Sequence, residues 1–172
     1  MSRFEGKRVL ITGGTSGIGI ATAKRIVEEG GEVAVTGRSQ DHLDDAGRQL
    51  PSGSLVMRND ASDPDAAKEL ADKVKDQMGT LDGLYLNAGY GKFWPVTDTD
   101  ADAFDHINNV NVRGPALHMA HLKPYLADNA AVLLTSSVAP YLGQPDGAVY
   151  AATKAACLAF ARSWSQDLAP KG

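Results

Sequence analysis

Tyr150 and Lys154 stand four residues apart in Tyr150-Ala-Ala-Thr-Lys154. They lie at the start of an apolar pattern that runs to Leu168, so their side chains share one face of a helix. A phenol with a pKa of about 10 is a poor acid or base at neutral pH, but a neighbouring ammonium favours its phenolate. Such a pair can move protons. The same spacing also serves as an ordinary surface contact, so the surrounding elements have to decide between the two.

Other reactive residues point elsewhere only weakly. Ser136 and Ser137 sit outside any Gly-x-Ser-x-Gly turn, and no histidine has a claim as their base, which argues against a serine hydrolase. His118 and His121 are three apart without a carboxylate at ligand spacing. They read as helix-face or interface histidines, and no metal site is expected. The single cysteine, Cys157, cannot form an internal disulfide and lies in an alanine-rich helical stretch, where a buried, inert thiol is expected.

The elements that must position these groups alternate. Apolar runs at residues 9–11, 33–35, 55–57, 81–86 and 132–135 read as strands buried on both faces. Between them, residues 18–29, 41–50, 64–78 and 100–126 carry helical spacing. Ser62 or Asp63 can cap the helix opened by Pro64, while Gly30-Gly31 and Gly79 read as helix stops. Alternation predicts a doubly wound, three-layer α/β/α parallel sheet, a Rossmann fold, with strand order 3-2-1-4-5 and ligands at the carboxyl ends of the strands. Nothing marks a linker or repeat, so residues 1–172 are read as one domain.

Directly after the first strand comes Thr12-Gly13-Gly14-Thr15-Ser16-Gly17-Ile18-Gly19, opening the first helix. Glycines let backbone approach a pyrophosphate, and the helix N-terminus offers free N–H groups to the anion. No Gly-Lys-Ser/Thr follows, which excludes a Walker loop. Where an NAD-binding fold places an acid for the adenosine ribose, this chain has Thr36-Gly37-Arg38. Gly37 leaves space, and the Arg38 guanidinium can pair with a 2′-phosphate. NADP(H) is favoured over NAD(H), which stays open.

Composition narrows the partners. With 43% hydrophobic and 22% charged residues, the chain fits a globular protein rather than a disordered or membrane one. Seventeen basic against twenty-one acidic residues give a net charge of −4, with no basic stripe, so nucleic acid is not expected. No membrane-length span or signal-type apolar region appears, and a cytoplasmic location is the expectation.

Taken together, these motifs resemble the short-chain dehydrogenase/reductase family over essentially the whole chain. The resemblance rests on the glycine turn, Asp60 after the third strand, Asn87-Ala88-Gly89 after the fourth, Asn111-Val-Arg-Gly114, and Ser137 ahead of Tyr150 and Lys154. It implies that Tyr150 is the acid/base and that Lys154 tunes it and holds the nicotinamide ribose. Ser137 would bond the substrate oxygen and Asn111 complete a relay through water. Gly13, Thr15, Ser16, Gly17, Ile18, Gly19, Arg38, Asp60, Ala61, Asn87, Ala88 and Gly89 would bind the cofactor together with Tyr150 and Lys154. The substrate would be a small carbonyl or alcohol, with Phe93, Trp94 and Tyr141 suggesting an apolar pocket.

Members usually continue past the catalytic helix, whereas this chain ends at Lys171-Gly172. The expectation is a fold lacking the usual C-terminal strands, with the fifth strand as an exposed edge. A homodimer or homotetramer, through residues 100–126 and 150–168, is implied for the full-length fold. A dinucleotide-binding fragment or regulatory protein without efficient turnover is the alternative to an enzyme.

Overall fold

Short apolar runs pair side by side in a parallel sheet, whose inner strands bury both faces. In the computed structural model, which describes residues 2–169, they form β1 (Arg8–Thr12), β2 (Glu32–Gly37), β3 (Leu55–Arg58), β4 (Leu81–Leu86) and β5 (Leu126–Leu134). Met1 and the terminal Pro170, Lys171 and Gly172 lie outside the described residues. All neighbours are parallel, in the order β3-β2-β1-β4-β5. This is the doubly wound Rossmann sheet expected from the alternation.

Helices cover the sheet in two layers. On one face, α1 (Gly17–Glu28) and α2 (Gln40–Gln49) pack on Val9, Ile11, Val33 and Val35. On the other, α3 (Pro64–Gln77) and α5 (Gly114–Leu122) enclose Leu10, Leu81 and Leu84, joined by Trp164 and Leu168 of α7 (Ala148–Leu168). Asp63 caps α3 by accepting from the Asp65 amide, and Pro64 follows at the position where its missing N–H costs nothing.

Three expectations need correction. Residues 100–126 are not one helix: α4 (Ala101–Asn108) passes into a π-helical turn at Asn109–Arg113 before α5 begins, and a 3₁₀ turn, Lys123–Tyr125, closes it. The wider turn brings Asn111 inward, where its amide is buried and bonded, a gain that helical periodicity does not encode. β5 starts at Leu126 rather than near residue 132, because Leu126 already pairs with Leu81 before a bulge resets the register to Gly83 and Ala131. Nor is every strand buried on both faces. β5 is the outer strand among the described residues, and no described helix covers its face beside α1, so Leu133 is 54% exposed. The exposed edge was expected; the open face was not.

A short α6 (Ala139–Leu142) and the turn at Gly143–Gly147, in which Asp146 takes a left-handed φ of 60°, connect β5 to α7.

Candidate active site

Every strand of a parallel sheet ends on the same edge, and here β1, β2, β3, β4 and β5 deliver the glycine turn, Arg38, Asp60, Asn87 and Thr135 to it. Two adjoining cavities occupy this edge. One, about 270 Å³, is lined by Thr15, Gly37, Arg38, His42, Asp60 and His106 among others. The second, about 330 Å³, is lined by Ile18, Asn87, Gly91, Thr135, Tyr150 and Lys154. Gly13, Ser16, Ala88, Gly89 and Tyr90 line both, so the two form one elongated cleft.

At its centre lies the N-terminus of α1, where the preceding Ser16 makes no side-chain capping bond and no acidic residue enters the first turn. Its N–H groups and partial positive charge are left for an anion. Gly17 has a φ of 52° and open space where a Cβ would be, whereas a Cβ on Gly13 would lie 2.7 Å from the Ala88 Cα. Gly17 therefore gives access, and Gly13 permits close packing. Two adjoining cavities with an anion-seeking centre and Arg38 at one end could hold a dinucleotide.

The turn is held by a threonine at the end of β1. The Thr12 hydroxyl accepts from the amides of Asn87 (3.1 Å) and Ala88 (3.2 Å), and Asn87 Nδ2 donates to the Gly13 carbonyl (3.0 Å). Asn87 Oδ1 accepts in turn from the Thr135 hydroxyl (3.0 Å). These bonds weld the carboxyl ends of β1, β4 and β5 together.

At one end of the cleft, Asp60 accepts from the Ser62 amide (2.9 Å) and hydroxyl (2.7 Å), and Arg38 Nη1 is 3.8 Å from its carboxylate. Burial pushes the Asp60 carboxyl up, but the Ser62 bonds, Arg38 and His106 outweigh it and hold it below the usual carboxylate range. Arg38 itself is largely exposed and free to meet a ligand. The space expected at Gly37 is taken by Thr15: a Cβ there would collide with the Thr15 hydroxyl. Gly37 is small for the sake of the protein's own turn.

At the other end, α7 presents Tyr150 and Lys154 to the same cavity. Lys154 Nζ lies 5.9 Å from the centre of the Tyr150 ring and donates to the Thr135 carbonyl (3.0 Å). Burial lowers the Lys154 pKa, with the Cys157 thiol opposing the shift. Cys157 is itself buried, and burial raises its pKa, in keeping with an inert thiol. Ser136 donates to the Lys154 carbonyl (2.9 Å), and Ser137 Oγ accepts from the Ala139 amide (3.1 Å). Ser137 is not among the residues lining the cleft.

Asn111 is buried beneath the cleft. Its Oδ1 accepts from the Tyr90 amide (2.7 Å), and its Nδ2 donates to the Tyr90 carbonyl (2.9 Å) and to Thr153 Oγ1 (3.0 Å). Thr153 donates to the Tyr150 carbonyl (2.7 Å). Of the remaining expected residues, Ala61 lines the first cavity, while Gly19 packs against Gly13 and Asn87. His118 is buried and bonded to Asn59, not an interface residue. Tyr90, expected among the substrate contacts after β4, lies at the junction of the two cavities, whereas sequence reading assigned no site role to Thr12, His42, His106 or Thr135. Only the position of Thr12 and Thr135 at strand ends could have flagged any of them.

The family model described as "short chain dehydrogenase" matches residues 7–172. The chain belongs to the short-chain dehydrogenase/reductase family. Its members are oxidoreductases, and the chain is 34% identical to the oxidoreductase asL5 of Sarocladium schorii, covering 100% of itself and 70% of that protein. It is 35% identical to glucose 1-dehydrogenase of Gluconobacter oxydans, covering 99% of itself and 66% of that relative. A solved short-chain dehydrogenase from Burkholderia cenocepacia in complex with NADP superposes with a TM-score of 0.90 at 32% identity, covering 99% of this chain and 71% of that one. The chain thus spans roughly two thirds of the length of these proteins. Among the described residues of this family member, no helix is long and apolar enough to cross a membrane.

Proposed function

We propose that this protein transfers hydride between NADP(H) and a carbonyl or alcohol, with Tyr150 as the acid/base. One observation carries the reading: the α7 pair Tyr150 and Lys154 lines the same cavity as the glycine turn and Asn87–Gly91. A bound nicotinamide would supply or accept the hydride. Gly13, Ser16, Gly17 and Ile18 would hold the pyrophosphate and Asp60 with Ala61 the adenine. Arg38 would meet a 2′-phosphate, since no acid stands at the end of β2 to repel it. The complex of the Burkholderia relative with NADP supports that choice.

In the reductive direction, negative charge builds on the substrate oxygen as hydride arrives. Although Ser137 stands outside the lining of the cleft, its oxygen accepts the Ala139 amide and its own proton would be the one donated to that charge. Tyr150 then delivers the proton, and the nearby Lys154 ammonium stabilises the oxyanion left behind. The Asn111 amide is fully occupied by Tyr90 and Thr153, so its side chain positions the cleft floor. A relay through Asn111 would use its backbone carbonyl, which faces Cys157 Sγ at 3.5 Å.

The substrate side is apolar. The Phe93 ring lies 5.3 Å from the Tyr150 ring, and the Trp94 amide donates to the Asp146 carbonyl, bringing the loops after β4 and α6 together. Assembly into dimers or tetramers through α4, α5 and α7 carries over from the family and is read by sedimentation. The deciding experiment follows the absorbance of NADPH as it is oxidised with ketones, aldehydes and quinones. Tyr150→Phe is expected to keep NADPH affinity and to lose about 10²- to 10⁴-fold in kcat. Cofactor binding without turnover of any carbonyl would leave a dinucleotide-binding protein instead.

A further inference from the structure

Three contacts run from the π-helical turn and α5 onto the loop that follows β3. Arg113 Nη2 donates to the Ser62 carbonyl (2.6 Å). Gly114 packs so tightly that a Cβ there would sit 2.5 Å from the Ala61 carbonyl oxygen. His118, 1% exposed, places Nε2 at 3.0 Å from Asn59 Oδ1. The Asn59 amide nitrogen donates to the Ala66 carbonyl (2.8 Å), so its oxygen is the end offered to the imidazole, and Nε2 carries the hydrogen.

Asn59 is therefore held from every side. Its backbone amide donates to the Gly37 carbonyl (3.0 Å), next to Arg38, and the following residue is Asp60. Asn59 also lines the same cavity as Arg38, Asp60 and Ala61. His118 stands on α5 beside Met119 and Leu122 of the core, one turn before the half-buried His121. A leucine would fill such a place without the desolvation cost of a polar pair, which both partners must offset by meeting each other. Burial pushes the imidazole down to about 4, so at neutral pH it serves as a neutral donor.

We propose that His118 is a positioning residue for the adenosine end of the cleft: by fixing Asn59 it fixes Asp60 and Ala61, and with them the adenosine moiety of the dinucleotide. This rests on the dinucleotide reading above. Because Asn111, seven residues earlier, holds Tyr90 at the junction of the two cavities, the segment spanning Asn111 and His118 ties the adenosine end and the middle of the cleft to one support.

The test divides the cofactor. Calorimetric titration of adenosine 2′,5′-bisphosphate, reduced nicotinamide mononucleotide and NADPH is compared in wild type, His118→Leu, His118→Gln and the double variant Asn59→Leu/His118→Leu, with thermal unfolding recorded for each. His118→Leu is expected to weaken adenosine 2′,5′-bisphosphate and NADPH by about 10-fold or more, and the mononucleotide by less than about 2-fold. His118→Gln, which retains a donor, should recover most of that affinity. The double variant removes the unpaired buried oxygen, so it should regain thermal stability without regaining adenosine affinity, and it carries the test if His118→Leu fails to fold. Unchanged adenosine affinity in His118→Leu, equal weakening of both halves, or affinity recovered together with stability in the double variant would overturn the role. If wild type binds neither NADPH nor the adenosine half, the dinucleotide reading falls and this role with it.

Discussion

Lys154 Nζ donates to the Thr135 carbonyl across 3.0 Å, tying the ammonium of α7 to the carboxyl end of β5. The bond fixes the cation beside Tyr150 rather than leaving it on a mobile four-carbon stem. Lys154→Met is expected to remove the charge, leave the Thr135 carbonyl without its partner, and lower kcat/KM for carbonyl reduction by about 10²-fold or more. Lys154→Arg should not rescue it, because a planar fork cannot occupy the site of a compact, buried ammonium. Steady-state kinetics with NADPH decides; near wild-type activity in either variant would detach Lys154 from the chemistry.

Cofactor choice should follow Arg38 and not Gly37. Arg38→Ala is expected to weaken NADPH by about 10- to 100-fold, the worth of a charge-assisted hydrogen bond or two, and to leave NADH nearly unchanged. Gly37→Asp brings a side chain into the Thr15 hydroxyl, so it should weaken both nucleotides by distorting the turn. Fluorescence titration of the two cofactors separates these outcomes. A clean switch to NADH in Gly37→Asp alone would show that Thr15 yields.

Gly19 is a packing glycine. A Cβ there would press on the Gly13 carbonyl and lie 2.7 Å from the Gly14 Cα, both backbone atoms that cannot rotate away. Gly19→Ala is therefore expected to lower the unfolding midpoint, with a loss of about 1–3 kcal/mol typical of overpacking, and to reduce dinucleotide affinity through the displaced turn. Gly17→Ala meets no atoms but must hold a φ of 52°, so its stability loss should be smaller. Urea unfolding of the two variants checks the order.

Acid should destabilise the protein through His118. Its folded pKa, pushed by burial from 6.5 to about 4, lies below the unfolded value, so the unfolded chain binds the extra proton. Stability from this group is complete above pH 6.5 and declines as pH falls toward 4, by a total on the order of 3 kcal/mol. His118→Gln should flatten that part of the stability profile, measured by urea unfolding between pH 4 and 7. An identical slope in the variant would assign the acid sensitivity to other groups.

Local chemistry carried much of the sequence reading. Apolar runs in alternation with helical spacing determined the doubly wound sheet and its order, because burial and crossover handedness leave few other arrangements. The glycine turn and the four-residue spacing of Tyr150 and Lys154 were legible for the same reason: each is a short-range geometric requirement. Tertiary structure alone decided the rest. Thr12 meeting Asn87 and Ala88, Thr135 meeting Lys154, and His118 meeting Asn59 join residues far apart in the chain, and no local periodicity encodes such partners. The π-helical turn that carries Asn111 inward interrupts a helical pattern that looks continuous, since its compensation lies in bonds to Tyr90 and Thr153 on other elements. Gly37 shows the difference most plainly: its sequence position suggested room for a phosphate, whereas packing gives that room to Thr15.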